Sequence, residues 1–149
     1  MGEAPTDSTD RDDRFDADMR DPRSILRRAG EFFDLDQPVG LMLMGVLGHA
    51  GDDEQVIRVV HGLMSGLASG SYLAIHDTID THAGAVRGIE AYDASGASAY
   101  LLRSPELVAD YFRGLELVEP GLVPCHEWRP DGAESAAEQA TRCAVGRKP

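Results

Sequence analysis

The chain has 149 residues, 42% of them hydrophobic, a formal net charge of -12 at pH 7 and no apolar stretch near membrane-spanning length. That allows one domain with one core, and without a clustered basic patch it excludes nucleic acid and membrane as expected partners. Two cysteines make no disulfide framework and no secretory signal opens the chain, so a reducing cytoplasm is the expected setting.

Residues 1–14 carry Glu3, Asp7, Asp10, Asp12 and Asp13 with almost nothing apolar, and such a segment cannot offset the entropy of being ordered. A mobile acidic tail is expected there, with the domain at 15–149. Phe15-Asp16-Ala17-Asp18-Met19 is expected to end a short strand. Asp21-Pro22 then reads as an N-cap followed by proline at the first helical position. The helix should run to about Phe33, with Ile25, Leu26, Ala29, Phe32 and Phe33 on one face.

The longest apolar run follows Pro38: Val39-Gly40-Leu41-Met42-Leu43-Met44-Gly45-Val46-Leu47. It shows no alternation, which predicts a central strand buried on both faces of a parallel sheet. In an open α/β sheet small molecules bind beyond the carboxyl ends of the strands, so Leu47, Gly48 and His49 are the first candidates for a site. Asp52 or Asp53 caps the next helix, where Val56, Val59, Val60, Leu63, Met64 and Leu67 recur at helical spacing. Ser71-Tyr72-Leu73-Ala74-Ile75-His76 is the next strand, which completes a right-handed β-α-β unit. Gly62, Gly66 and Gly70 recur every fourth residue and should let the helix approach the sheet closely.

Residues 78–99 are rich in Gly, Ala and Ser, with a weak helix around Ala85 to Tyr92, as in specificity loops of α/β enzymes. Ser104-Pro105-Glu106 opens a well-marked helix with Leu107, Val108, Tyr111 and Phe112 inward and Gly114 as its stop. Leu115 to Val118 alternates like a strand, Gly121-Leu122-Val123-Pro124 continues the chain outward, residues 129–139 should be mobile, and Arg142 to Gly146 is a last strand and a hairpin partner for 115–118. His76, Asp77, Asp80 and His82 are the right residue types for a metal, but their spacing matches no motif, and no metal is expected. Cys125 and Cys143 have no adjacent base and read as buried thiols.

The stretch from Gly114 to Pro124, with Trp128-Arg129-Pro130-Asp131-Gly132 and Gly146-Arg147-Lys148-Pro149, resembles a bacterial family of S-adenosylmethionine-dependent methyltransferases. So do Asp18-Met19-Arg20-Asp21-Pro22 and the run ending Val46-Leu47-Gly48-His49, and together the motifs span Ala17 to Pro149 in order. The resemblance implies an α/β, Rossmann-like class I fold, and for this chain its C-terminal part: a partial sheet, mostly parallel with the last strand antiparallel, flanked by helices. Its strands would be the family's fourth, fifth, seventh and sixth in spatial order. It implies S-adenosylmethionine as cofactor, Asp18 accepting from the adenine amino group, the Met19 N–H facing a ring nitrogen, and Leu47, Gly48 and His49 lining the cofactor pocket. Each has a plainer reading, Asp18 as a solvated acid and His49 as a histidine satisfied by backbone. Tyr92 and Trp128 are candidates either for contact with a small-molecule methyl acceptor or for packing.

No glycine-rich G-x-G-x-x-G loop stands in a strand-to-helix setting. With the family's glycine-rich half unmatched, two or three hydrogen bonds worth roughly 1.5 to 3 kcal/mol each are lost, and cofactor binding by this chain alone should weaken by about 10² to 10⁵-fold. The apolar run would also lose the strand covering one edge. Two expectations follow: a truncated methyltransferase inactive alone, or a non-catalytic module pairing through that edge as a homodimer or with a complementing chain.

Overall fold

The computed structural model describes residues 13–81, 83–132 and 140–149. All but the last two residues of the expected acidic tail, His82, and most of the expected mobile stretch at 129–139 lie outside them. The first helix, α1 (Pro22–Ala29), starts as its sequence dictates: Asp21 Oδ1 accepts the Ser24 N–H at 3.1 Å, and Pro22 occupies a position whose N–H would go unused. It stops short of Phe33, because the chain continues in turns in which Phe32 and Phe33 both donate to the Ala29 carbonyl. No strand forms at 15–19; the Phe15 ring instead stacks on Phe32 with centroids 6.1 Å apart.

β1 (Gly40–Met44) and β2 (Tyr72–Thr78) pair in parallel, with Gly40 opposite Tyr72 and Met44 opposite His76. Their crossover is α2 (Asp53–Ser65), capped by Asp52, whose Oδ1 accepts the Gln55 N–H at 2.8 Å. The predicted stripe Val56, Val59, Val60, Leu63 and Met64 is buried. α3 (Ala83–Ala94) is amphipathic only weakly and buries none of its residues. α4 (Pro105–Asp110) is capped by the Ser104 hydroxyl, and Gly114, at φ +82°, reverses the chain beyond it.

Three strands complete the sheet: β3 (Glu116–Leu117), β4 (Val123–Pro124) and β5 (Thr141–Arg147). The order is β1-β2-β5-β3, with β4 also pairing β5. β5 is antiparallel to β2, β3 and β4, so the other four strands share one direction and the last is reversed. This is the expected α/β sheet and strand order, including the pairing of 115–118 with the last strand.

The apolar run departs in two respects from the central strand that its composition predicts, although the strand order implied by the resemblance already left one of its edges uncovered. β1 is an edge strand rather than a central one: Leu41 and Leu43 pack on the core, while Met42 and Met44 on the other face are 67% and 42% exposed. It is also shorter than 39–47, because Gly45 at φ +66° turns the chain out of the sheet and Leu47–His49 forms a 3₁₀ turn. The glycine spacing likewise serves a different neighbour. A Cβ at Gly62 would meet Pro22 at 3.0 Å and one at Gly66 would meet Leu26 at 2.4 Å, so the close approach is of α2 to α1. Gly70 instead makes a turn at φ +87°. Among the described residues no helix is long and apolar enough to cross a membrane.

Candidate functional site

Parallel pairing puts the carboxyl ends of β1 and β2 side by side, and the Gly45 N–H donating to the His76 carbonyl at 2.7 Å is the last rung between them. Beyond it the chain turns. Leu47 and Gly48 are buried and His49 is exposed. Gly48 must be small here: a Cβ would lie 2.5 Å from the Tyr100 ring.

His49 is held by its Nδ1, 3.0 Å from the Ala99 carbonyl. A carbonyl oxygen only accepts, so Nδ1 carries the proton, and the neutral ring keeps its lone pair on Nε2. Among the described residues Nε2 has no hydrogen-bond partner. The Tyr100 ring stands edge-on to the imidazole, centroids 4.9 Å apart and planes at 85°. His49, Thr78, Ile89, Tyr92 and Tyr100 line a groove of about 320 Å³ at this place.

Beneath the groove lies a buried polar cluster. The Tyr100 hydroxyl sits 3.1 Å from Asp77 Oδ1 and 3.4 Å from the Gly45 carbonyl. Asp77, 1% exposed, has its carboxyl pushed above the usual range by burial, against the opposing pull of the Thr78 N–H, the Tyr100 hydroxyl and the charges of Arg103 and His76. Burial and then the Asp77 charge hold the Tyr100 hydroxyl far above the ordinary tyrosine value. Arg103, itself buried, spans the turn: Nη1 donates to Asp53 Oδ1 at 2.7 Å, and Nη2 to the carbonyls of Gly51 and Leu47. Asp77 Oδ2, Arg103 Nε and the Tyr111 hydroxyl oxygen are buried without partners among the described residues.

The expected site residues therefore fall into two groups. Leu47, Gly48 and His49 form one turn, in which the Leu47 side chain belongs to the core and only His49 reaches out. Asp18 and Met19 lie in the turn before α1. The Asp18 carboxylate, half exposed, takes the Arg20 backbone N–H at 3.0 Å and its guanidinium at 2.9 Å, and Arg20 lowers its pKa. Met19 packs on the core, and its N–H has no acceptor among the described residues. No hydrogen bond among those residues joins the two groups.

Tyr92 borders the groove with His49; Trp128 does not, and has the Arg129 guanidinium 5.7 Å from its ring. His76 and Asp77 point to opposite faces of β2, as neighbours on a strand must. No three His, Cys, Asp or Glu side chains come together among the described residues. Cys125 and Cys143 are half-buried rather than buried, and burial with the neighbouring Cys125 thiol pushes Cys143 up to about 12, which disfavours its thiolate. Tyr100, Asp77 and Arg103 were not expected at this site. The one sequence signal was Arg103 itself, a lone charge directly after Leu101-Leu102.

Residues 2–149 match the sequence profile of a family described as S-adenosyl methyltransferase. The fold is shared with a DUF574 family protein from Streptomyces avermitilis, 35% identical with a TM-score of 0.80 over 89% of this chain and 53% of that one. It is shared also with a protein of Thermobifida fusca described as a candidate methyltransferase, 33% identical with a TM-score of 0.78 over 90% of this chain and 53% of that one. An O-methyltransferase family protein from Burkholderia thailandensis, 14% identical, has the same fold at a TM-score of 0.58 over 90% of this chain and 35% of its own. No curated protein matches the chain. The chain thus spans about half the length of the first two structures.

Proposed function

Because the chain belongs to the S-adenosyl methyltransferase family, we propose that it forms the acceptor side of a methyl-transfer site at the carboxyl ends of β1 and β2. The observation that carries this reading is His49, exposed beside the groove with a partner on Nδ1 and, among the described residues, none on Nε2. When bound, S-adenosylmethionine supplies an electrophilic methyl group on a sulfonium. The chain's residues suit one edge of that molecule: the Asp18 carboxylate still has a lone pair beyond its three Arg20 contacts, and the adjacent Met19 N–H is free among the described residues, an acceptor beside a donor as an adenine edge requires. The turn of Gly48 and His49 would lie beside the cofactor when it is bound, with only the His49 side chain reaching out.

Methyl transfer depends on alignment more than on a dedicated acid, so a shaped groove that orients the acceptor is the main contribution. Ile89, Tyr92 and Tyr100 give that groove apolar walls suited to a small flat acceptor. His49 Nε2 takes the proton from the acceptor's hydroxyl or amine and leaves the electron pair on the reacting atom. Titration calorimetry of the chain with S-adenosylhomocysteine tests the reading. Binding heat at millimolar ligand, reduced by about ten- to a hundred-fold in affinity by Asp18→Ala, supports it; no heat at that concentration contradicts it.

A second reading, a module that acts by sheet pairing, is favoured by β1, whose outer edge pairs with no strand among the described residues and carries no charge or proline, and whose outer face exposes Met42 and Met44. It predicts concentration-dependent association on gel filtration that Met42→Lys abolishes. A monomer at every concentration counts against it.

A further inference from the structure

We infer that Tyr100 is a positioning residue for His49: the segment from Ala99 to Leu101 is a strap across the turn after β1, anchored on Asp77, that holds the proton of His49 on Nδ1 and so keeps Nε2 as the basic nitrogen. The inference rests on the reading of His49 just given.

Three successive residues of the strap each touch the turn. The Ala99 carbonyl lies 3.0 Å from His49 Nδ1, and the Leu101 N–H donates to the Gly48 carbonyl at 2.9 Å. Between them the Tyr100 ring fills the space above Gly48 that a Cβ would occupy and stands edge-on to the imidazole. The strap needs an anchor, because Ala97 and Ser98 before it belong to no regular element. The Tyr100 hydroxyl supplies it by donating to Asp77 Oδ1 at 3.1 Å. Asp77 is itself fixed on β2, buried, with Oδ1 also accepting the Thr78 N–H at 2.9 Å. Arg103 fastens the far end of the segment to the carbonyls of Leu47 and Gly51.

Which ring nitrogen of a neutral histidine is protonated is set by the hydrogen bond the other makes. Without an acceptor placed at Nδ1, an exposed imidazole exchanges between tautomers, and whenever Nε2 holds the proton it cannot accept another. The strap therefore sets the tautomer of His49 through the Ala99 carbonyl, an effect separate from the wall that the Tyr100 ring gives the groove.

Long-range proton–nitrogen NMR of the chain at a pH where imidazole is neutral reads the tautomer directly. In the unmodified protein His49 should show a protonated Nδ1 and an unprotonated Nε2. Tyr100→Ala should bring the two nitrogen shifts together as both tautomers become populated. Tyr100→Phe keeps the ring and removes only the anchor, so it should give an intermediate shift in a protein that still melts cooperatively. A proton on Nε2 in the unmodified chain, or unchanged nitrogen shifts in folded Tyr100→Ala or Tyr100→Phe, overturns the inference. A Tyr100-dependent tautomer in a chain that gives no heat with millimolar S-adenosylhomocysteine upholds the strap while overturning the proposed methyl-transfer site.

Discussion

At Gly48 the absence of a side chain is a packing requirement, because the Tyr100 ring lies where a methyl group would go. Gly48→Ala should destabilise the fold by about 1 to 3 kcal/mol through overpacking, read as a lower urea midpoint at unchanged slope. A change below about 0.5 kcal/mol would mean that Tyr100 swings away freely. Asp77 gives a pH-dependent signature. Burial raises its pKa in the folded state above the ordinary 3.8, so the folded protein binds that proton more tightly than the unfolded chain does. Its contribution is therefore fullest below 3.8 and is lost as pH rises through the higher folded value, beyond which it is constant. Asp77→Asn has no such loss, so thermal melts of the two proteins from pH 3 to pH 8 should diverge in the variant's favour as pH rises. Curves that stay parallel would contradict the assignment.

The elements differ in how far their own residues determine them. Asp21-Pro22, Asp52 and Ser104-Pro105 each cap the helix they precede, and these starts were legible because capping is a contact between near neighbours in sequence. The edge position of β1 was not legible from its composition, since Leu41-Met42-Leu43-Met44 reads the same whether one face or two are covered. β4 escaped notice because Val123-Pro124 is too short to show a period. Of the candidate site, His49 followed from the carboxyl-end rule and from the resemblance, whereas Tyr100 and Arg103 reach it across about fifty residues of chain and left almost no local signal. Lys148 shows the same limit. Its Nζ donates to the Met64 and Leu67 carbonyls at 2.9 and 2.6 Å, capping the end of α2 from the last residues of the chain. Lys148→Met should lose about 1 to 3 kcal/mol of stability in denaturant titration, and an unchanged midpoint would show that water replaces the ammonium there at no cost.

On the scale of the whole molecule, two features sit at opposite sides of β1. The carboxyl end carries the His49 turn, its groove and the buried cluster that fixes them. Along the side, α1, α2 and β1 enclose an apolar groove of about 370 Å³ lined by Ile25, Leu26, Phe33, Leu35 and Leu41 among others, next to the strand edge that has no partner among the described residues. The first is the proposed place for methyl transfer, and the second is a surface on which a further strand and helix would bury apolar area. The measurement that separates them is a residue-resolved NMR titration of the ¹⁵N-labelled chain with S-adenosylhomocysteine. The account predicts progressive shifts at the amides of Met19, Gly48 and His49, with the ring nitrogens of His49 following. Shifts confined to Ile25, Leu35 and Leu41, or none at millimolar ligand, would contradict it.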